Sequence, residues 1–527
     1  MRILVFHGYL LGGTGSNVYN ARLAEALAAL GHDVHLLSQD RHAEEKPFVD
    51  AVGEWRNGRL RVRDLHRPRA PGRGRCSVYR PDIGDLLPVY VADRYEGIRA
   101  RTFLDSSDGE IEAYLDANVA AAREVRDLAT PHAALANHLV MGPVILARAL
   151  EGSVPYAVKI HGSALEYTVK AAPLRFAGYA REGLAGARGI LVGSRHTAES
   201  MWQALADAPD LPARTRLGPP GVDVERFAPR DPASAAAGVR ELQRELAAAS
   251  PSAAAGDSAF ARDPHAAMQA LSRLPLGDDP LVAFVGKLIV SKGVDLLLAA
   301  WPLVLERVPP ARLVVVGFGA YRVGLERLVH ALAAGDLQTA GEIAAAGRAL
   351  ESPGLATPEP LRHLLAFIGG VAGAQGERYV AAARDLSRRV LFTGRLEHDE
   401  LGLLLPACDA LVVPSTFPES FGMVAAEAAA CGALPISAAH SGLAEVSRVL
   451  AGAVPREVAP WLSFAIDDNA VPALAERVVA WLQAPPELRE AARGGLVRAV
   501  REHWSWAGVA RRVIAAAEGR LGELPRP

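Results

Sequence analysis

Cysteine is scarce. Cys76, Cys408 and Cys431 are the only three in 527 residues, scattered and without metal-ligating or redox spacing. They exclude a disulfide framework and read as ordinary thiols of a reducing compartment. An excess of charge of one sign is also lacking. Lys and Arg number 57 against 59 Asp and Glu, a formal net of -2, which excludes the electrostatic footprint of a generic nucleic-acid binder. Long hydrophobic runs are absent too. The longest uncharged stretches, such as 133–147 and 364–376, fall short of the ~18–20 apolar residues of a membrane span and are broken by Gly, Asn or Gln. The opening MRILVFHGYL lacks the roughly 7–15 apolar residues of a signal peptide and reads as a strand. The expectation is a soluble, cytoplasmic protein.

What is present is an ordinary globular mixture, 50% hydrophobic and 22% charged. At ~150 residues per domain the length suggests about three domains or two large ones. Residues 2–7 (RILVFH) form a continuous apolar run, as in a parallel strand buried on both faces. A Gly-rich loop, a helical pattern over Val18–Leu30, a terminating Gly31 and the run VHLLS (34–38) complete a βαβ unit. YAVKI (156–160) and GILV (189–192) continue the theme. A second set starts at LVAFVG (281–286) and runs through ARLVVVG (311–317), RVLFTG (389–394), DALVVP (409–414) and ALPIS (433–437). Two doubly wound α/β domains are expected, over 1–227 and 281–504, with 228–280 an Ala/Pro/Ser-rich linker containing some helix. Two segments read as decorations: the Arg-rich stretch 56–80 and a helical insertion at about 320–388.

The sharpest chemical feature is PSTFPESFGMVAAEAAACG (414–432). A strand ends, a short loop follows, and a small-residue helix starts near Gly422. Glu419 then lies in the loop and Glu427 about one and a half turns into the helix. Backbone N–H groups from Ser420 through Phe421, Gly422 and Met423 to Val424 point at whatever sits before the helix N-terminus, an anion site by geometry and dipole. Carboxylates on either side suit a ligand with hydroxyls at both ends and an anionic middle, the layout of a nucleotide sugar. The spacing alone fits equally well a helix-dipole partner at 419 and a solvated residue at 427. In VGKLIVSKG (285–293), Lys287 and Lys292 flank a loop between strand and helix, where two cations can neutralise a diphosphate or simply face solvent. The first turn carries Gly12, Gly13 and Gly15 but lacks the third glycine of a dinucleotide fingerprint, and no convincing acid ends the second strand. A dehydrogenase is therefore disfavoured. His161 stands just beyond a strand's carboxyl end, where open α/β sheets bind ligands, and His138 occupies a similar place with weaker support.

Taken together these strings resemble the family-4 retaining glycosyltransferases of the GT-B fold. The resemblance is carried by the N-terminal Gly-rich loop, HG at 161–162, GSRHT at 193–197, PPGVDVERFAP at 219–229 and FVGKLIVSKGVDLLLAA at 284–300. VVVGFG, FTGRL and the segment containing the E-x7-E spacing complete the set. It implies two Rossmann-like doubly wound domains facing across a cleft, with a C-terminal helix near 505–527 crossing back to the first. It implies a nucleotide-diphosphate sugar donor, with Glu427 on the donor ribose and Glu419 on the transferred sugar. Backbone over Ser420–Val424, with Lys287 and Lys292, would meet the pyrophosphate and the sugar. Arg395 and Leu396 would lie near the base, Gly13 near the diphosphate, and His161 at the sugar and the developing transition state. Lys287 is a departure, because the family usually has Arg there, and a point charge replaces a bidentate fork. Retaining hexosyl transfer is implied, with the leaving phosphate taking the acceptor proton and no metal or other cofactor required. The alternatives are a glycoside phosphorylase or disaccharide synthase of the same fold, and a non-catalytic nucleotide-sugar-binding protein. Stretch 56–80 suits either a solvated loop or peripheral contact with an anionic surface at the inner membrane face.

Overall fold

The structure, a computed structural model, describes residues 1–91, 99–249, 262–275, 277, 279–351 and 359–527. The chain divides into two units, Met1–Gly221 with Trp504–Pro527, and Val222–His503. The strands of the first unit are β1 (Arg2–Phe6), β2 (Asp33–Leu37), β3 (Ala51–Arg56), β4 (Arg59–Asp64), β5 (Cys76–Arg80), β6 (Leu86–Val89), β7 (Arg99–Thr102), β8 (Ala133–Asn137), β9 (Tyr156–Lys159), β10 (Gly189–Val192) and β11 (Thr215–Leu217). Strands β6 and β7 pair with each other; the other nine form one sheet in the order β11-β10-β9-β8-β1-β2-β5-β3-β4. Every neighbouring pair is parallel except the hairpin β3–β4. Continuous apolar runs such as RILVF are explained by burial on both faces, where separate apolar clusters pack.

The first helix, Gly15–Ala29, ends before Gly31, whose φ of +85° is the left-handed conformation the sequence pattern requires. The C-terminal helix Trp506–Ala517 packs Val509, Val513 and Ile514 into the same core cluster as Leu23 and Leu27 of the first helix. The chain thus returns at its end to the unit in which it starts.

The Arg-rich stretch 56–80 is not a loop. It supplies β4 and β5, and β5 lies between β2 and β3 in the main sheet. Its charge is offset by carboxylates outside the stretch as well as by Asp64. Arg73 pairs with Asp50 at 3.0 Å, Arg75 with Asp64 at 2.7 Å and Arg80 with Glu54 at 2.6 Å. Alternating Arg in RLRVRD masks the strand, because the outer face of an edge strand needs no apolar residues.

The second unit holds β12 (Leu281–Val285), β13 (Arg312–Val316), β14 (Val390–Gly394), β15 (Ala410–Val413), β16 (Leu434–Ala438) and β17 (Ser463–Phe464). All pair in parallel, in the order β14-β13-β12-β15-β16-β17. Counted from the first strand of the unit this is 3-2-1-4-5-6, the doubly wound arrangement whose order reverses between β12 and β15. The insertion between β13 and β14 is helical, with Arg322–Ala333, Leu337–Ala346, Arg362–Gly370 and Gly373–Ala383.

The stretch expected as a linker is instead packed into this unit. Asp231 caps the helix Pro232–Ala248, and Asp263 caps Pro264–Ser272. Val239, Leu242, Leu246 and Leu271 are fully buried. Abundant Ala hides the pattern, yet Val239, Leu242 and Leu246 stand at i, i+3 and i+7 on one face. Residues 250–261, 276 and 278 of that stretch lie outside the described residues. Leu242→Ala should therefore cost about 2–5 kcal/mol in chemical denaturation, whereas Leu128→Ala, at a 58% exposed site, should change stability by under about 0.5 kcal/mol.

Candidate functional site

All six strands of the second unit run in parallel, so their carboxyl ends share one edge, and the switch between β12 and β15 opens a crevice there. Glycines let the loops on this edge approach backbone to backbone. Gly293, at φ +64°, lies so close that a Cβ would stand 2.0 Å from the Pro414 carbonyl oxygen. A Cβ on Gly317 would stand 1.9 Å from the Gly286 carbonyl oxygen. The loops after β12, β13 and β15 are thereby clamped, and Thr416 N–H adds a bond to the Ser291 carbonyl at 2.9 Å.

That clamp brings Lys292, from the loop after β12, onto Glu419, from the loop after β15. Lys292 Nζ and Ser415 Oγ both donate to Glu419 Oε1, the latter at 2.7 Å. Burial pushes this carboxyl's pKa up, but Lys292, Ser415 and nearby His440 outweigh it and hold the group below the usual range. The backbone is fixed as well. Glu419 N–H donates to Ser441 Oγ at 2.9 Å, and Gly442 N–H donates to the Glu419 carbonyl at 2.9 Å. His440 Nε2–H donates to the Ser415 carbonyl at 2.8 Å, and its Nδ1 lies 3.1 Å from Ser441 Oγ.

Gly422, at φ +116°, opens the helix Met423–Ala430, so the N-terminus faces the crevice from just beyond Glu419. First-turn N–H groups have no intrahelical acceptor by construction. Glu427 is only 2% exposed, so it is not a solvated helix residue, and His398 Nε2 donates to its Oε1 at 2.8 Å. Lys287 and Arg395 flank the same ring, each 5.9 Å from the centroid of Phe318 in the loop after β13. Arg395 also pairs with Glu397 at 2.9 Å, and Leu396 is buried beside it. Strands β12 to β16 thus each send at least one side chain to this edge. His398, His440, Ser415, Ser441 and Phe318 escaped the sequence reading. The His-Ser pair at 440–441 follows a strand end as PSTFPES does, and that was the available signal.

In the first unit the corresponding reversal lies between β1 and β8. Here His7, His138 and His161 gather, with ring centroids 5.9 Å apart for the first pair and 4.8 Å for the second. Asn20 Nδ2 donates to His7 Nδ1 at 3.0 Å, so the ring hydrogen sits on Nε2, which reaches Leu10 O and Asn17 Oδ1 at 3.0 Å each. Asn17 Nδ2 in turn holds the Gly12 carbonyl at 2.7 Å, and Asp40 accepts from Leu11 N–H at 2.8 Å. The residue at the end of the second strand therefore secures the Gly-rich loop containing Gly13, whose φ is +91°. Asn137 Nδ2 bonds the Phe6 carbonyl, turning its Oδ1 toward His161 Nε2 at 3.0 Å. Both ring nitrogens of His138 are buried without a hydrogen-bond partner. Lys159, 2% exposed, donates to the Gly218 carbonyl at 2.6 Å, and burial lowers its pKa to about 7.

These two units match two known families. Residues 14–211 fit the glycosyl transferase 4-like domain, and residues 272–340 with 361–494 fit glycosyl transferases group 1. A D-inositol 3-phosphate glycosyltransferase of Xylanimonas cellulosilytica is 26% identical over 438 residues, covering 82% of this chain and 77% of that one. A GDP-mannose-dependent monoacylated alpha-(1-6)-phosphatidylinositol monomannoside mannosyltransferase of Corynebacterium glutamicum is 27% identical over 234 residues, 43% of this chain and 44% of the relative. The chain thus spans under half the length of that relative. Among solved structures, sucrose-phosphate synthase from Thermosynechococcus elongatus superposes with a TM-score of 0.56 at 18% identity, covering 99% of each chain. Anabaena HepE in complex with UDP and glucose gives 0.54 at 14%, covering 98% of this chain and 99% of that one. The chain has the GT-B fold, and a segment of each unit is similar to a glycosyltransferase domain family.

The neutral histidines make stability depend on pH. Burial lowers the pKa of His7 from 6.5 to about 4 and those of His138 and His161 well below 6.5. Unfolding lets each take up a proton, so stability should fall as the pH drops from 6.5 toward 4. Denaturation midpoints measured across that range should decline steadily; a flat profile would contradict the buried neutral cluster.

Proposed function

We propose that the protein transfers a sugar from a nucleotide-sugar donor to an acceptor hydroxyl, with retention at the anomeric carbon. The observation that carries this is the convergence on one sheet edge of Lys287, Lys292, Glu419 and the N-terminus of the helix that buries Glu427. Relatives named for GDP-mannose and neighbours bound to UDP and UDP-glucose support a nucleoside diphosphate sugar as donor.

In this reading Lys287, Lys292 and the N–H groups from Ser420 to Val424 neutralise the diphosphate as it becomes the leaving group. Glu427, oriented by His398, accepts from the ribose hydroxyls. Glu419 has its Oε1 engaged by Lys292 and Ser415, and its Oε2 accepts from hydroxyls of the transferred sugar. Arg395, Leu396 and Phe318 border the base. Gly13 lets the first unit's loop approach the diphosphate, and His161, fixed by Asn137, contacts the sugar.

The C1–oxygen bond to the phosphate breaks through an oxocarbenium-like transition state. The acceptor oxygen bonds to C1 on the same face, and the departing phosphate oxygen takes the acceptor proton. No side-chain base and no metal is needed for this balance. The alternative of phosphorolysis differs in requiring inorganic phosphate as the attacking group.

Peripheral contact with an anionic surface extends the proposal and rests on Arg56, Arg59, Arg61 and Arg63, which are exposed on the β3–β4 hairpin. Among the described residues no helix is long and apolar enough to cross a membrane. Binding to phosphatidylserine vesicles should fall steeply as salt is raised; absent or salt-independent binding would remove this extension.

The site assignment is tested by nucleotide release from UDP-, GDP-, ADP- and dTDP-sugars, with and without phosphate. Glu427→Ala should weaken donor binding and Glu419→Ala should mainly lower kcat. Each should cost ~1–3 kcal/mol, about 5- to 150-fold. Unchanged kinetics in both variants would refute the placement. Release that requires phosphate would favour phosphorolysis, and donor binding without turnover would favour a sensor.

A further inference from the structure

The first unit has a second concave feature on its carboxyl edge. A cleft of about 440 Å³ lies where β2, β5 and β3 end, in the volume range of small-molecule sites. Its lining is electrically balanced: Arg41, Arg80 and Arg99 stand against Glu54, Asp82 and Asp85. That balance argues against an anion as the preferred occupant. Half-buried Trp55 is among the lining residues; it packs against the core cluster, and its Nε1 donates to Glu124 Oε2 at 2.7 Å, which holds the indole in place. Arg80 is locked onto Glu54 at 2.6 Å, and Gln39 Nε2 onto the Pro81 carbonyl at 2.9 Å. A rigid indole beside forked donors and acceptors of both signs matches a neutral polyhydroxylated ligand. Such a ligand presents apolar C–H faces to the ring and hydroxyls to the charged rim.

We propose that this cleft is a saccharide subsite that binds a part of the acceptor remote from the hydroxyl being glycosylated. The inference rests on the glycosyl-transfer reading for the word acceptor, but the carbohydrate site itself does not. Its remoteness follows from the sheet. From β9, which presents His161, to β3, which carries Trp55, there are five strand spacings, about 24 Å at ~4.8 Å each. One sugar ring cannot touch both His161 and Trp55, so the acceptor is an extended saccharide or glycoconjugate rather than a monosaccharide.

The test uses the full chain without donor. Binding of α-(1-6)-linked manno-oligosaccharides, and of gluco- and galacto-oligosaccharides, is measured by saturation-transfer NMR and calorimetry from two to six residues. In one series affinity should rise about tenfold or more with length. Trp55→Ala should abolish that gain, and Arg99→Ala and Asp82→Ala, at exposed positions, should reduce it severalfold. These two rim variants guard against loss of folding in the Trp55 variant, with circular dichroism as the check. No binding in any series, or length-dependent binding unchanged in all three variants, would overturn the subsite. Failure of the glycosyl-transfer reading is seen separately, as absence of nucleotide release from every donor. Oligosaccharide binding lost in Trp55→Ala would still establish the carbohydrate site.

Discussion

The candidate donor site depends on how closely the loop after β12 can approach the loop after β15. A parallel doubly wound sheet brings these strand ends side by side at the reversal of strand order, but neighbouring strand ends do not by themselves make an ion pair. Gly293 closes the gap, because any side chain there would run into the Pro414 carbonyl. Its left-handed conformation also starts the helix that follows, so one residue both turns the chain and seats Lys292 against Glu419. Gly317 allows the same close approach between the loops after β12 and β13. Close backbone approach is thus what converts an edge of strand ends into a crevice of defined width.

Within that crevice the electrostatics follow from incomplete burial with full pairing. Glu419 is ionised because Lys292, Ser415 and His440 outweigh the cost of desolvation. Its backbone is pinned through Ser441 and Gly442, so little reorganisation is left to be done when a ligand arrives. Glu427 is buried deeper and owes its orientation to a single histidine, His398. The two carboxylates of one helix-and-loop segment therefore sit in different surroundings, one on the ion-paired wall of the crevice and one beneath the helix N-terminus.

The first unit solves a different problem with neutral groups. His7 and His161 are held by asparagine amides, each oriented in turn by a backbone carbonyl, and this network rigidifies the Gly-rich loop without adding charge. The positive charge that is buried there, Lys159, is tied to a carbonyl and lies 5.5 Å from the Tyr19 ring. The lowered pKa values are consequences of this uncharged, desolvated packing. The outer part of the same edge is charged but balanced, which separates its chemistry from the diphosphate-binding chemistry proposed for the second unit.

The apolar runs of both sheets, the Gly-rich turn, the helix stop at Gly31 and the loop-helix segment around Glu419 were legible in the chain, because each is a local pattern with a local physical cause. The hairpin within 51–64 and the packed helices of 228–280 were not. In the first, an edge strand tolerates arginine on its open face; in the second, alanine dilutes the few large residues that mark the buried face. Sequence alone determined the two α/β halves and which residue types gather at strand ends, since periodicity and turn chemistry act within a few residues. Only the tertiary structure decided which partners those residues meet. His398 beneath Glu427, His440 against the Ser415 carbonyl, and Asp40 on the Gly-rich loop are separated from their partners in the chain and joined only by strand order.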